Sequence, residues 1–351
     1  MRQILALLAF AVFGFVTPSV ADEAARAQLA GRTLDVVVAF SNSGGGARFW
    51  NIFSDALRRQ LPDTIVRARF NDAGSGTSAA NELFALPEGS LAVGFARPAE
   101  LAFAQAQGRD DVNYDMNLAR WVIGVERESA FMATRRDLPL DMNVLRQPEQ
   151  RLVIPVNAIT DTQSIVAAML NAITGLRGRL VVGFNNSDRL RALLAGDGDL
   201  YTQSNDKEVN ALLESGDLKL LYVIWGKEFP ANVDLSVTLE SVAVPGVSKD
   251  LIEYVAAARA LGRAFYAPPG VSDADLAALR VAFTEAVHDA AFVSEAGKQN
   301  VPLADVPASE VEGKMDLLLL KDPALKAEVD KAYACGIAMS EGTLDSCDFG
   351  S

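Results

Sequence analysis

The chain has 351 residues, half of them hydrophobic, and carries 32 lysines and arginines against 45 aspartates and glutamates, a net charge of -13. This charge argues against nucleic acid or an anionic lipid surface as a partner, although solubility alone also favours acidity. The length suits two domains of about 150 residues with sizeable cores. A single histidine, His288, argues against Ser-His-Asp catalysis and histidine-rich metal sites.

The first 21 residues have the pattern of a secretory signal peptide. Arg2 precedes an apolar run over Ile4–Val16, which is shorter than the roughly 20 residues of a membrane span. Ser19 and Ala21 supply the small-x-small pattern at a cleavage site. We therefore expect cleavage after Ala21, a mature chain that begins at Asp22, a periplasmic location and no direct membrane insertion.

Apolar runs of strand length alternate with helical patterns, which predicts an α/β architecture with parallel strands buried on both faces. The predicted strands are 34–40, 64–70, 91–95, 121–125, 151–156, 180–184 and 218–225. The predicted helices are one after the first glycine run and others over 163–173, 188–195, 206–214, 249–261 and 273–290. Ser272, with Asp275 three residues later, marks the start of the last of these helices.

Two glycine-rich turns each follow a predicted strand and open a predicted helix. They are "SNSGGGAR" at 41–48 and "NDAGSGTSAANELF" at 71–84. In an open parallel sheet both lie at the carboxyl edge, where exposed backbone amides and the helix dipole favour an anion. A tight turn without a ligand is the alternative interpretation of each.

Neither turn matches a known phosphate or nucleophile motif. The spacing of the first glycine run puts Phe49 where a dinucleotide fingerprint needs its third glycine, and no Lys-Ser or Lys-Thr closes a P-loop. Gly74 and Gly76 flank Ser75 directly, whereas a nucleophile elbow needs glycine two residues away on each side. Ser75 is therefore predicted to be a hydrogen-bond donor.

Arg48 is the one cation within the two turns and lies in the first turn of a predicted helix. The helix dipole disfavours a positive charge at this position. A bidentate contact between its guanidinium and a bound carboxylate would explain the residue. A solvated surface arginine is the alternative.

Cys335 and Cys347, the only cysteines, lie close together near the C-terminus. In an oxidising compartment they are predicted to pair, and closing a loop of this size would stabilise the fold by roughly 3 kcal/mol. A metal site is the alternative, but two thiols without a nearby histidine fall short of the usual ligand count. We expect a structural disulfide, no metal and no cofactor.

The turns resemble motifs of the periplasmic substrate-binding receptors of tripartite tricarboxylate transporters, often called Bug receptors. That family has Pro-Gly-Gly-x-x-Asp after its first strand, Asn-Arg-Pro-Gly-Ala-Gly-Gly after its second and Pro-Asp-Gly before its third. The matching stretches here are "SGGGAR" at 43–48, "NDAGSGT" at 71–77 and "PEG" at 87–89. The stretches "GDGDLYTQSNDKEVNALLESGDLKLLYV" and "FYAPPGVSDADLAALRVAFTEAV" continue the resemblance in the same order, over most of the mature chain.

The resemblance implies a type II periplasmic-binding-protein fold, with two α/β lobes joined by two crossover strands and a ligand cleft between them. Lobe 1 is expected to comprise residues 22–128 and 226–351, including a C-terminal helical extension with the disulfide that has no counterpart in the family. Lobe 2 is expected to comprise residues 129–225.

The resemblance also implies a set of ligand-binding residues. They are Ser41, Asn42, Ser43, Gly44, Gly45, Gly46, Arg48, Asn71, Gly74, Ser75, Gly76, Thr77, Thr160, Asp161, Thr162 and Ser164. The chain departs from the family where Ser43 replaces a proline, Arg48 replaces an acid, and "NAITDTQS" at 157–164 lacks a glycine-rich pattern. The family's ligand contacts therefore carry over well to the backbone of residues 44–46 and 74–77. They carry over poorly to Arg48 and to residues 160–164. An arginine in place of an acid should reject ligands with an amino group and favour extra negative charge.

The function implied is that of a receptor, not an enzyme, for a small organic anion such as a di- or tricarboxylate. Its partners would be that anion and the subunits of a membrane transporter or a sensor. Two alternatives stay open. One is an interaction or signalling protein that keeps the receptor fold without the pocket, and the other is a secreted enzyme that uses carboxylates such as Asp161 as acid and base.

Overall fold

A computed structural model describes residues 20–127, 129–147, 149–204 and 207–350. The predicted signal peptide lies outside the described residues except for its last two positions, which belong to the first helix. The strands are β1 Thr33–Val38, β2 Ile65–Phe70, β3 Ala92–Ala96, β4 Arg120–Gly124, β5 Ala130–Arg135, β6 Val153–Pro155, β7 Arg179–Val181, β8 Leu200–Ser204, β9 Leu218–Trp225, β10 Ala264–Ala267 and β11 Val306–Pro307.

The helices alternate with these strands over the first two thirds of the chain and dominate its end. They are α1 Val20–Leu29, α2 Gly45–Gln60, α3 Thr77–Phe84, α4 Pro98–Ala106, α5 Met142–Leu145, α6 Thr162–Thr174, α7 Asn186–Ala195, α8 Lys207–Ser215, α9 Leu239–Val242, α10 Lys249–Ala260, α11 Asp273–His288, α12 Ala290–Lys298, α13 Ala308–Leu318 and α14 Pro323–Glu341. Within the described ranges, no helix combines the length and the apolar character needed to cross a membrane.

The larger sheet has six strands in the order β11-β4-β10-β3-β1-β2. Strands β2, β1 and β3 are parallel, whereas β10 runs antiparallel to both β3 and β4, and β11 runs antiparallel to β4. The prediction of parallel strands is therefore confirmed for β2, β1 and β3 and wrong for the pairs that β10 and β11 form. All four residues of β10 are buried, and a short apolar run of this kind carries no information on strand direction.

A second α/β unit contains the antiparallel sheet β8-β5-β9 and the parallel pair β6-β7. The chain leaves the six-stranded sheet after β4, forms this second unit, and returns to the first sheet at β10. The predicted two-lobed α/β fold is confirmed. The exact boundaries of the two lobes stay a prediction.

The core of the first unit places the start of α2. Phe49 and Phe53 of this helix are fully buried and pack with Phe95 of β3 and Phe265 of β10. Burying each such side chain contributes roughly 1.5–3 kcal/mol. Because Phe49 lies one turn into the helix, this packing holds the N-terminus of α2 at the carboxyl end of β1.

The C-terminal helix α14 packs along α6 and β7. Gly336 allows the close approach, since a Cβ at this position would overlap the carbonyl of Ala168. The Cys335–Cys347 disulfide is present, with Cα atoms 6.0 Å apart. The extension, which the sequence assigned to lobe 1, thus contacts elements from the stretch expected to form lobe 2.

Candidate functional site

A cavity of about 240 Å³ lies where the turn after β1 faces the loop before α6. It is lined by residues of that turn, of the β3–α4 junction, of the loop and of the segment before β10: Phe40, Gly44, Gly45, Gly46, Arg97, Glu100, Asn157, Asp161, Thr162, Gln163 and Arg263. A molecule of liquid water occupies about 30 Å³, so this space suits a small ligand.

The N-terminus of α2 opens onto this cavity. Gly44 is the N-cap, its backbone is extended, and no side chain caps the helix. The first turn contains no acidic residue. Within the described part of the chain, the Gly45 and Gly46 amides donate to no protein acceptor. Two amides and the positive end of a 16-residue helix therefore face the cavity, which is a favourable environment for an anion.

The glycines of this turn have different roles. A Cβ on Gly46 would overlap the Phe40 ring, so a side chain at 46 is excluded by packing. At Gly45 the nearest atom to such a Cβ is Nη2 of Arg263, at 3.9 Å, which is an ordinary contact distance. Packing thus explains Gly46, whereas Gly45 presents bare backbone to the cavity with room to spare.

A buried ion pair fixes the base of the cavity. Arg263 donates from Nε and Nη2 to the Glu126 carboxylate, with both distances 2.6 Å, and the side chains are 8% and 1% exposed. Its Nη1 donates to the carbonyl of Gly45 at 3.0 Å. The pair is bidentate and largely dry, so it holds the α2 N-terminus in place while its own charges cancel.

On the opposite side, the start of α6 is occupied by carboxylates of the chain. Asp161 is the N-cap, and its Oδ1 accepts from the backbone N–H and the hydroxyl of Ser164, both at 2.7 Å. Glu100, from the first turn of α4, accepts from the Thr162 N–H at 3.4 Å. Burial raises the pKa of the Glu100 carboxyl, Arg97 opposes this rise, and the charge of Asp161 adds to it.

Solved structures with a similar fold are solute-binding proteins. A TctC solute binding protein from Polaromonas matches with a TM-score of 0.62 and 16% identity, over 89% of this chain and 99% of that one. The periplasmic binding protein BugD matches with a TM-score of 0.61 and 15% identity, over 86% and 97%. R. palustris Rpa4515 with adipate matches with a TM-score of 0.61 and 18% identity, over the same shares.

The chain has the fold of the TctC-type solute-binding proteins. The resemblance in the turn motifs is thereby confirmed at the level of fold, at identities that fit a divergent chain. No protein-family model matches the sequence, and no curated protein matches it.

Within this TctC-type fold, the cavity brings together only part of the predicted ligand-binding set. Its lining includes five of those positions: Gly44, Gly45, Gly46, Asp161 and Thr162. Ser164 lies buried beneath, bound to Asp161. Ser41, Asn42, Ser43 and Arg48 are exposed and are not among the lining residues. The charge that Arg48 was predicted to supply is thus placed outside the cavity.

The second glycine turn lies beside the cavity. Its residues Gly74, Ser75 and Gly76 have positive φ angles of 64°, 58° and 90°, and Thr77 is buried. Asn71 hydrogen-bonds Ser78 within the turn, at 3.1 Å. The hydroxyls of Ser75 and Thr160 lie 3.2 Å apart, which links this turn to the loop before α6. Both glycine-rich turns therefore lie at the loop before α6. Of the two turns, only the first supplies residues that line the cavity.

Sequence reasoning missed three charged residues of the cavity: Arg97, Glu100 and Arg263. A signal for the first two exists in "FARPAE", where an arginine and a glutamate flank a proline directly after an all-apolar strand. Charges at that position lie at the carboxyl edge of the sheet. Arg263 carries no comparable signal, because its partner Glu126 is 137 residues away.

Proposed function

We propose that this protein is an exported solute receptor that binds a small organic anion through a carboxylate group. The observation that supports this most is the start of α2, where the Gly45 and Gly46 amides face the cavity without a protein acceptor among the described residues. Arg97 lines the same cavity and supplies a cation. A carboxylate held there would receive two backbone hydrogen bonds and a charge-assisted one.

The ligand class follows from the sequence resemblance and from the neighbours with known ligands. R. palustris Rpa4515 is solved with adipate, and MatC from Rhodopseudomonas palustris with malate, the latter at 14% identity with a TM-score of 0.58. Both ligands are small carboxylates. In this proposal the protein acts in the periplasm, performs no chemistry on its ligand, and delivers it to a membrane transporter or a sensor.

The alternatives find less support in the site. The retained cavity of about 240 Å³ counts against a receptor fold whose pocket has been filled. The Asp161 carboxylate is engaged with the start of its own helix, where it accepts two hydrogen bonds from Ser164, and this counts against its use as a catalytic base. A solute receptor is therefore the function that the geometry supports best.

Two arginine variants test the proposal against the sequence prediction. The protein is screened for thermal stabilisation by acetate, butyrate, succinate, adipate and malate, and binding is then measured by titration calorimetry. Arg97→Gln should weaken the best of these ligands by about 10- to 100-fold, since a hydrogen bond to a charged group contributes about 1.5–3 kcal/mol. Arg48→Gln is the matched control and should leave the affinity unchanged.

Three results would count against the proposal. The first is no stabilisation by any of the carboxylates, which argues for an interaction protein. The second is a reversed pattern, in which Arg48→Gln abolishes binding and Arg97→Gln does not. The third is conversion of the bound ligand to a product, which would favour an enzyme.

A further inference from the structure

The two ends of the cavity offer opposite chemistry to a ligand. At the α2 end the chain presents open amides. At the α6 end the corresponding amides are already used, because Asp161 accepts from Ser164 and Glu100 accepts from Thr162. A second carboxylate of a ligand therefore finds no open donor among the amides at positions 162 and 164.

Glu100 reaches this position from the other side of the cavity. It lies in the first turn of α4, directly after β3 of the six-stranded sheet, whereas Thr162 begins α6 of the second unit. Its carboxyl thus occupies the place at the α6 N-terminus that an anionic ligand group would take. A ligand carboxylate brought to this end would face both Glu100 and Asp161, and such like-charge contacts are strongly unfavourable without compensation.

The charges around Glu100 leave it as the acceptor that meets the ligand. Arg97 faces it from the end of β3, and Arg263 is neutralised by Glu126. Asp161 is held by its own helix and interacts electrostatically with the buried Arg189 of α7. A hydrogen-bond donor on the ligand can therefore bind here, and a positively charged donor binds best.

The Thr162 side chain helps to hold Glu100 at this end of the cavity. Thr162 is 5% exposed and lines the cavity. Its side chain and its backbone N–H both hydrogen-bond the Glu100 carboxyl, and both bonds oppose the rise in the pKa of Glu100. The carboxyl is therefore fixed at the start of α6, and these bonds favour its charged form.

We propose that Glu100 determines specificity by accepting a hydrogen bond from an ammonium group, so that the site prefers a small molecule with one carboxylate and one amino group over a dicarboxylate. The inference rests on the proposed function, because the carboxylate of the same ligand binds at the start of α2. It also reverses the expectation from the sequence, in which Arg48 would reject amino groups, since Arg48 lies outside the cavity.

Three probes with four carbon atoms test the inference by titration calorimetry at pH 7. Butyrate, succinate and 4-aminobutyrate share one carboxylate and differ only in the group at the other end. The wild-type protein should bind 4-aminobutyrate at least about tenfold more tightly than succinate, because one terminal group pairs with Glu100 and the other is repelled by it. Glu100→Gln should reduce this ratio at least about tenfold, with most of the change in the affinity for 4-aminobutyrate.

Glu88→Gln is the matched control, since Glu88 is an exposed acid of the same stretch of chain and does not line the cavity. It should leave the ratio unchanged. The inference is overturned if succinate binds the wild-type protein as tightly as 4-aminobutyrate, or if Glu100→Gln leaves the ratio intact. If succinate binds as tightly as 4-aminobutyrate, the proposed function is still supported. If none of the three probes binds either the wild-type protein or Glu100→Gln, both proposals are contradicted.

Discussion

Helices α2 and α6 both point their N-termini at the cavity, and they satisfy these termini in opposite ways. Every helix start leaves backbone N–H groups without intrahelical acceptors and carries a positive partial charge. At α6, Asp161 and Glu100 supply carboxyl acceptors from the chain itself. At α2, Gly44 is the cap and no side chain caps the helix. The chain therefore fills the start of α6 with its own carboxyl groups and leaves the start of α2 open to an external anion.

The open start of α2 costs little stability, and other contacts offset it. An acidic or hydroxyl N-cap contributes only about a few tenths of a kcal/mol over a glycine N-cap such as Gly44. The start of α2 is instead held by the bond from Arg263 to the Gly45 carbonyl and by the buried Phe49. This arrangement fixes the amides in position without covering them.

Breaking the Arg263–Glu126 pair should have the largest effect on stability. Glu126→Ala leaves Arg263 buried without its counter-ion, and loss of one partner of a buried pair costs about 3–5 kcal/mol. Urea unfolding of Glu126→Ala and of the double variant Glu126→Leu/Arg263→Leu measures this cost. The double variant should be the more stable of the two. A Glu126→Ala loss below about 1 kcal/mol would show that the pair does not hold the α2 end.

The two glycines of the α2 start should differ on substitution. Gly46→Ala forces a methyl group into the Phe40 ring and should destabilise by about 1–3 kcal/mol. Gly45→Ala has room and should be neutral or stabilising by up to about 1 kcal/mol, since alanine favours a helix. Thermal unfolding of both variants checks this. Equal losses at the two positions would contradict the division of roles between them.

Removing the N-cap of α6 should lower the free energy of unfolding by less than the destabilising substitutions above. Asp161→Ala leaves the Ser164 N–H without its acceptor and should destabilise by about 1 kcal/mol. Asp161→Asn keeps a side-chain oxygen and should lose much less of the free energy of unfolding. Urea unfolding compares the two variants. If they lose the same amount, charge rather than capping controls this end.

Glu100→Gln should have the smallest effect on stability, and the effect should depend on pH. Because burial raises the pKa of Glu100 in the folded state, the stability of the wild-type protein falls as pH rises above the unfolded value of about 4.3. Glutamine does not titrate. The variant should therefore match the wild type near pH 4 and become the more stable of the two toward pH 7. Thermal unfolding across this range measures the difference, and a constant difference would contradict it.

Much of the fold and the position of the α2 end of the cavity could be predicted from the sequence. The glycine run after an all-apolar strand located the α2 start, and the Ser272 cap of α11 is confirmed by its bond to the Asp275 N–H. Strands β5, β8, β10 and β11 were missed. The sequences of β5 and β8, "AFMATR" and "LYTQS", mix apolar and polar residues, and the pairing of these two segments with each other specifies them as strands.

The α6 end of the cavity and the ion pair at its base depend on long-range contacts that no local sequence pattern contains. Glu100 meets Thr162 across 62 residues of sequence, and Arg263 meets Glu126 across 137. Arg48 was predicted to supply charge because it follows the glycines, but α2 turns it outward to solvent. The chemistry of the cavity therefore follows from tertiary packing, whereas its location at the strand ends follows from the sequence.

The most direct test observes the α2 amides themselves. The protein is labelled with ¹⁵N-glycine, the Gly45 resonance is assigned from the Gly45→Ala variant, and succinate and 4-aminobutyrate are titrated separately to saturation. Bound carboxylate should shift the amide resonances of Gly45 and Gly46 and leave that of the exposed Gly342, at the end of α14, in place. Binding of either probe that leaves Gly45 and Gly46 unshifted would contradict the claim that the open start of α2 holds the ligand.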